Sequence, residues 1–185
     1  MVSSSLEKLK QSHGVEVVWR SFELRPKGSP PMPPEYLARI KAGRPRLYQI
    51  AREHYGLELN PGPHGISSRD ALIGAKYAEA QGRGPQYHAA VLRAYWQRAN
   101  DIGDRVVLGM IAQSVGLTEA AFLAALDDPR FDQQVAADVE QAYRYGLNGV
   151  PALIFNHKYL VSGAQPYAVL TQVVEKVQAE LANAP

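Results

Sequence analysis

The chain has 185 residues, enough for one domain with a real core or for a core carrying one large insertion, and its 46% hydrophobic and 21% charged residues are those of an ordinary globular protein. A formal net charge of +2 supplies no whole-molecule field that would argue for nucleic acid, and no run of about 18 apolar residues suggests a membrane span. There is no cysteine, which excludes disulfides, thiolate metal sites and a cysteine nucleophile within this chain.

The start, MVSSSLEKLK, lacks the basic and apolar regions of a secretory signal, so the chain as it stands reads as cytoplasmic. Ser4 and Glu7 have the spacing of a capping box, and Leu6 and Leu9 then give a short amphipathic helix that Gly14 can end. In VEVVWRSF, Val15, Val17 and Trp19 alternate with Glu16, Val18 and Arg20, the period of two of a strand. Val18 breaks the polarity of the second face, as in a sheet covered on both sides. RPKGSPPMPP, 25–34, is an extended proline-rich connection.

From Glu35 to about Gly146 the patterns are helical. Tyr36, Ile40, Leu47, Ile50 and Ala51 predict one helix or a pair broken around Gly43 and Pro45, and NPGPHG at 60–65 is a loop. Ala71, Ala75 and Ala78 predict the next helix. Pro85 suits the start of another, with His88, Val91, Leu92, Tyr95, Trp96 and Ala99 on one broad stripe. Asp104 is placed to cap a helix carrying Val107, Leu108, Ile111 and Val115, and Thr118 opens a short one. Phe131, Val135, Val139 and Ala142 line the last of the series.

The character then changes. LNGVPALIFN, 147–156, sets Pro151 at the head of the most apolar short run, where a proline is tolerated as a first strand residue because no interior ladder bond is lost. Asn156 and His157 separate it from a second run, Lys158 to Val161, and predict a tight two-residue hairpin. Tyr167, Leu170, Val174, Val177 and Leu181 step by three and four along a C-terminal amphipathic helix.

Few side chains point to chemistry. His13, His54, His64, His88 and His157 show no metal-ligand spacing, so no metal site is predicted, and no Ser/His/Asp arrangement follows from order alone. Arg39, Lys41, Arg44 and Arg46 form a local basic cluster, a solvated surface unless it meets an anion or an acidic substrate. GRG at 82–84 lacks the strand-to-helix setting of a phosphate loop.

Gly-Val-Pro before a hairpin, then KYLVSGAQP and a terminal helix, resembles the end of a thioredoxin-fold protein of the DsbA family, in its FrnE-like branch. DIGDRVVLGMIAQSVGL at 101–117, VAADVEQAYRYGLNGVPALIF at 135–155 and VEVVWRSFEL at 15–24 extend the resemblance over nearly the whole chain. The fold it implies is α/β and thioredoxin-like, with a core from 1–29 and 147–185 and an all-helical insertion at 30–146. It implies a cis Val150–Pro151 bond and a substrate-binding role for Gly149, Val150 and Pro151. There the backbone of Val150 would pair with an extended peptide or thiol substrate by strand addition.

The family's chemistry belongs to a Cys-x-x-Cys at the first strand–helix junction, where a helix N-terminus lowers the thiolate pKa. By the family's spacing that strand and dithiol fall just upstream of Met1, so the chain is read as lacking both, through a late start or shortening, and as inactive in dithiol exchange. No catalytic residue is assigned. Without that strand the segment at 15–20 and the hairpin should face a gap, closed by a shift, by a homodimer partner or by an exchanged segment.

Two alternatives stay open. Kappa-class glutathione transferases and glutathione-dependent 2-hydroxychromene-2-carboxylate isomerases share the fold and hold the glutathione thiolate with a Ser at the first helix N-terminus. Ser4 and Ser5 are the candidates here, against helix capping by Ser4, and glutathione would be the one co-substrate. The other is a non-catalytic peptide-binding protein that retains the groove.

Overall fold

A computed structural model describes residues 2–26 and 28–183. In chain order the elements are α1 (Val2–His13), α2 (Pro34–Tyr55), α3 (Arg69–Ala80), α4 (Gly84–Arg98), α5 (Arg105–Ser114), α6 (Glu119–Ala125), α7 (Pro129–Arg144), β1 (Ala152–Phe155), β2 (Tyr159–Ser162) and α8 (Tyr167–Ala182). They divide into two compact units, one of residues 1–19 with 146–185, the other of residues 20–145.

The larger unit is a helical bundle. Tyr87, Leu108, Phe122 and Val135 are fully buried at its centre, with Ile73, Ala78, Ile111 and Ala112 around them. Gly74 permits this packing, since a Cβ there would lie 2.6 Å from both the Tyr87 hydroxyl and Phe122 Cζ. The Tyr77 ring meets Phe122 and Phe131 edge-on, at centroid distances of 6.1 and 5.7 Å. Asp104 and Asp128 cap α5 and α7 by accepting from the N–H groups of Val106 and Arg130. The NPGPHG loop is fixed by backbone bonds: Asn60 and Gly62 donate to Trp96 and Tyr95 carbonyls, both at 2.7 Å.

Buried charge adds a second kind of contact. Lys76 on α3 and Asp138 on α7 lie 2.7 Å apart, both buried, and Asp138 also accepts from the Ser21 N–H at 2.9 Å and from Arg20 at 3.2 Å. Burial pushes the Asp138 carboxyl up, but its bonds to Lys76 and Ser21 outweigh that and hold it below the usual carboxylate range. Arg69 bridges Glu23 and Asp132 in the same way, at 2.8 and 2.6 Å.

The smaller unit is a thin layer. Leu6 and Leu9 of α1 pack against Leu170 and Val174 of α8, and Leu153, Phe155 and Val161 of the hairpin rest on that cluster. Ser12 Oγ lies 2.8 Å from the Tyr167 hydroxyl, and Gln178 donates to the His13 carbonyl at 3.1 Å, fastening α1 to α8. Val15, Val17 and Trp19 rest on the same cluster.

Three expectations change, and one pair of alternatives is resolved. Residues 15–20 keep the alternating burial of a strand, and 15–18 make no backbone hydrogen bond among the described residues, so the segment is extended without being a strand. It is not laddered to 151–155. The helix at 34–55 runs unbroken through Gly43 and Pro45 and ends at Gly56, whose φ of 62° is left-handed. α1 begins at Val2, so Ser4 lies inside the helix and forms no capping box; Glu7 pairs with Lys10 at 3.2 Å instead. Asn156 and His157 do take positive φ (47° and 54°) and the Lys158 N–H closes the turn on Phe155 at 3.0 Å. Yet the ladder then pairs Phe155 with Tyr159, leaving Lys158 as an extra residue.

Candidate binding edge

The hairpin has one paired edge and one open edge, and its register decides which backbone groups face which. Pro151 accepts from the Gly163 N–H at 2.8 Å, and the antiparallel register continues as Leu153 opposite Val161 and Phe155 opposite Tyr159. In such a ladder alternate residues exchange both bonds with the partner strand, and those between turn their N–H and C=O to the other side. Residues 151, 153 and 155 therefore face β2. Val150, Ala152 and Ile154 face away from it. Among the described residues β1 pairs with β2 alone, and no backbone group bonds to Val150.

Pro151 opens this edge without breaking the ladder. It has no N–H, and the neighbouring strand needs only its carbonyl. The Val150–Pro151 peptide bond is cis, and Val150 is 51% exposed. Gly149 precedes it, and a Cβ there would meet nothing within 4 Å, so close packing does not demand the glycine. Side-chain direction follows the same alternation. Leu153 and Phe155 turn onto the α1–α8 cluster, whereas Ile154 and its cross-strand partner Leu160 are exposed on the opposite face.

The edge has no chemistry beyond hydrogen bonding and apolar contact. LNGVPALIFN contains no acid, base or nucleophile. The nearest charges in sequence belong to the far end of the hairpin, where Lys158 pairs with Glu180 at 2.7 Å and Tyr159 bonds to the same carboxylate. These bonds, that of Lys158 foremost, hold Glu180 below the usual carboxylate range.

Gly149, Val150 and Pro151 are thus brought to one strand end with a free edge. Ser4 and Ser5 stand otherwise: both lie within α1, Ser4 is half-buried, and Ser5 is 4% exposed. No group of His, Asp or Glu among the described residues is arranged to hold a metal ion. His88 is half-buried and its pKa is lowered by burial. No helix among the described residues is long and apolar enough to cross a membrane. Sequence reasoning missed Ala152 and Ile154. The run reads as uniformly apolar, and which alternate set faces outward depends on pairing partners ten and six residues away.

Residues 1–175 match the DSBA-like thioredoxin domain. The chain is similar over its whole length to a probable DsbA oxidoreductase from Streptomyces coelicolor, of which it covers 83%, with 29% identity and a TM-score of 0.84. It is 28% identical over 165 residues to the uncharacterized protein YwbO of Bacillus subtilis, covering 87% of this chain and 82% of that protein. A 2-hydroxychromene-2-carboxylate isomerase shares the fold at 19% identity and a TM-score of 0.75, over 98% of this chain and 88% of its own. A match of this extent, with Gly-Val-Pro at the head of a hairpin packed on two helices, makes the chain a member of the DsbA-like thioredoxin-domain family.

Proposed function

We propose that this chain carries the substrate-docking part of a DsbA-type thiol–disulfide oxidoreductase of the FrnE-like branch. In this reading it binds an extended polypeptide by strand addition and performs no dithiol exchange itself. The observation that carries the reading is the open edge of β1: Val150, Ala152 and Ile154 present N–H and C=O groups with no ladder partner among the described residues. An unpaired edge is a template for another strand, and its main-chain bonds are indifferent to side chains, which suits a broad range of clients. The exposed Val150 and Ile154 add apolar contact. With no cysteine in the chain, docking is the step it can perform alone. The glutathione reading has less support, since a buried Ser5 hydroxyl is poorly placed to hold an incoming thiolate.

A carboxymethylated insulin B chain serves as an extended client. Adding it should slow amide exchange at Val150, Ala152 and Ile154, while insulin reduction stays at the buffer rate. Ile154→Pro removes one outward N–H without touching the bonds to β2, and should abolish that protection with the helical circular-dichroism signal intact. Turnover above buffer would refute the inactivity, and protection that survives Ile154→Pro would refute the edge. A second copy is the other partner this edge suits. Protection of the same three amides that grows with protein concentration, without client, would mark a homodimer.

A further inference from the structure

The one helix that does little to hold the bundle together is also the most basic. α2 spans 22 residues, yet Ala51 is its sole buried residue. Between Glu35 and Glu53 it holds Arg39, Lys41, Arg44, Arg46 and Arg52 and no acid. Arg52 is committed to Glu58 by two bonds of 2.7 and 2.9 Å. Arg44 bonds to His64. Arg39, Lys41 and Arg46 are exposed and make no ion pair or hydrogen bond among the described residues; Arg39 stacks over the exposed Tyr36 ring at 5.4 Å.

At 100° per residue, Arg39 and Arg46 fall on one flank of the helix and Lys41 on the other, on either side of the stripe Leu37, Ile40, Leu47 and Ala51. Leu37, Ile40 and Leu47 are half-buried and Ala51 is buried. The helix therefore retains charge to offer but little apolar face.

We propose that α2 is a docking surface for an acidic, extended polypeptide segment. Unpaired cations of one sign, with the helix's acids confined to Glu35 and Glu53 near its two ends, attract an anionic partner and steer its approach. Three features select a peptide among polyanions. The half-buried stripe leaves no apolar wedge for acyl chains, which surface-lying membrane helices need. Arg39 and Arg46 stand about 10 Å apart along the axis, a span within reach of carboxylates on one face of a short extended peptide, which recur every ~7 Å. Non-specific duplex binding, by contrast, draws its strength from some 6–10 phosphate contacts, more than two helical turns with four cations provide. Arginine's planar fork also fits a carboxylate in two parallel bonds.

The probe is a fluorescein-labelled oligoglutamate peptide, titrated against the full chain by anisotropy. Binding should weaken about tenfold or more between about 20 mM and about 500 mM salt as screening sets in. The full-chain variant Arg39→Glu/Lys41→Glu/Arg46→Glu should lose oligoglutamate binding and gain oligolysine binding, with its circular dichroism unchanged. That gain is a readout loss of fold cannot produce. Failure of oligoglutamate to bind would overturn the proposal. So would equal binding by the triple variant, or tighter binding of oligothymidylate or of phosphatidylserine vesicles. None of these outcomes bears on the β1 edge, which Ile154→Pro tests separately.

Discussion

The two units solve the same problem to different degrees. In the helical unit the backbone bonds internally, the core holds large side chains at full burial, and even the buried charges are paired: Lys76 with Asp138, Glu23 with Arg69. The smaller unit buries four apolar residues, Leu6, Leu9, Leu170 and Val174, under a two-stranded sheet with one edge unpaired among the described residues. A lone two-stranded hairpin is marginal in water, and here two helices are what keeps it in place. Closure confers stability, and incompleteness leaves somewhere for a strand to bind.

That contrast has measurable consequences, and Trp96 in the helical unit and Trp19 on the small cluster provide separate fluorescence reports. The largest effect belongs to the closed core. Phe122→Ala should destabilise the helical unit by about 3–5 kcal/mol, since Tyr87, Tyr77 and Gly74 all lean on that ring. Denaturant titration of a Trp19→Phe background should show it as an early Trp96 transition. Leu9→Ala, in the thin layer, should cost about 2–5 kcal/mol, and should move the Trp19 transition while the Trp96 transition stays in place. If both signals shift together in either variant, the units are not independent and the contrast collapses.

A smaller effect concerns charge. The Asp138 carboxyl has a folded pKa below its unfolded value, so its contribution is present at neutral pH and is lost as pH falls through the folded value, below about pH 4. Asp138→Asn should therefore cost about 1.5–3 kcal/mol at pH 7, because the Lys76 partner weakens while the Ser21 N–H keeps an acceptor. The difference from the parent chain should narrow in acid. A gap that stays constant down to pH 3 would show that Asp138 acts through shape alone.

Local chemistry was legible before the structure, and pairing was not. The Asp104 cap, the Leu170 and Val174 pair of the α8 stripe and the positive φ at Asn156 and His157 follow from residues close in sequence, whereas Leu181, at the end of that stripe, is exposed. The segment 15–20 misled because alternation shows where side chains are buried, while a strand also needs a neighbour. Ser4 misled because a capping box two residues inside a helix has the same letters as one at its start. Pro45 interrupts a hydrogen bond, but α2 extends past it on both sides, so one missing bond does not end it. Lys76 and Asp138, 62 positions apart, carry no mark of each other in sequence. The edge proposed for docking was legible only in part, since Gly-Val-Pro is a motif, whereas Ala152 and Ile154 join it only through the register with β2.

Amide exchange across β1, residue by residue and without any client, tests the open edge most directly. The N–H groups of Leu153 and Phe155 point to β2 and should be protected, and those of Val150, Ala152 and Ile154 should exchange close to unstructured rates. Equal protection at all five, in a dilute monomer, would mean that the edge is already filled, and would contradict the account.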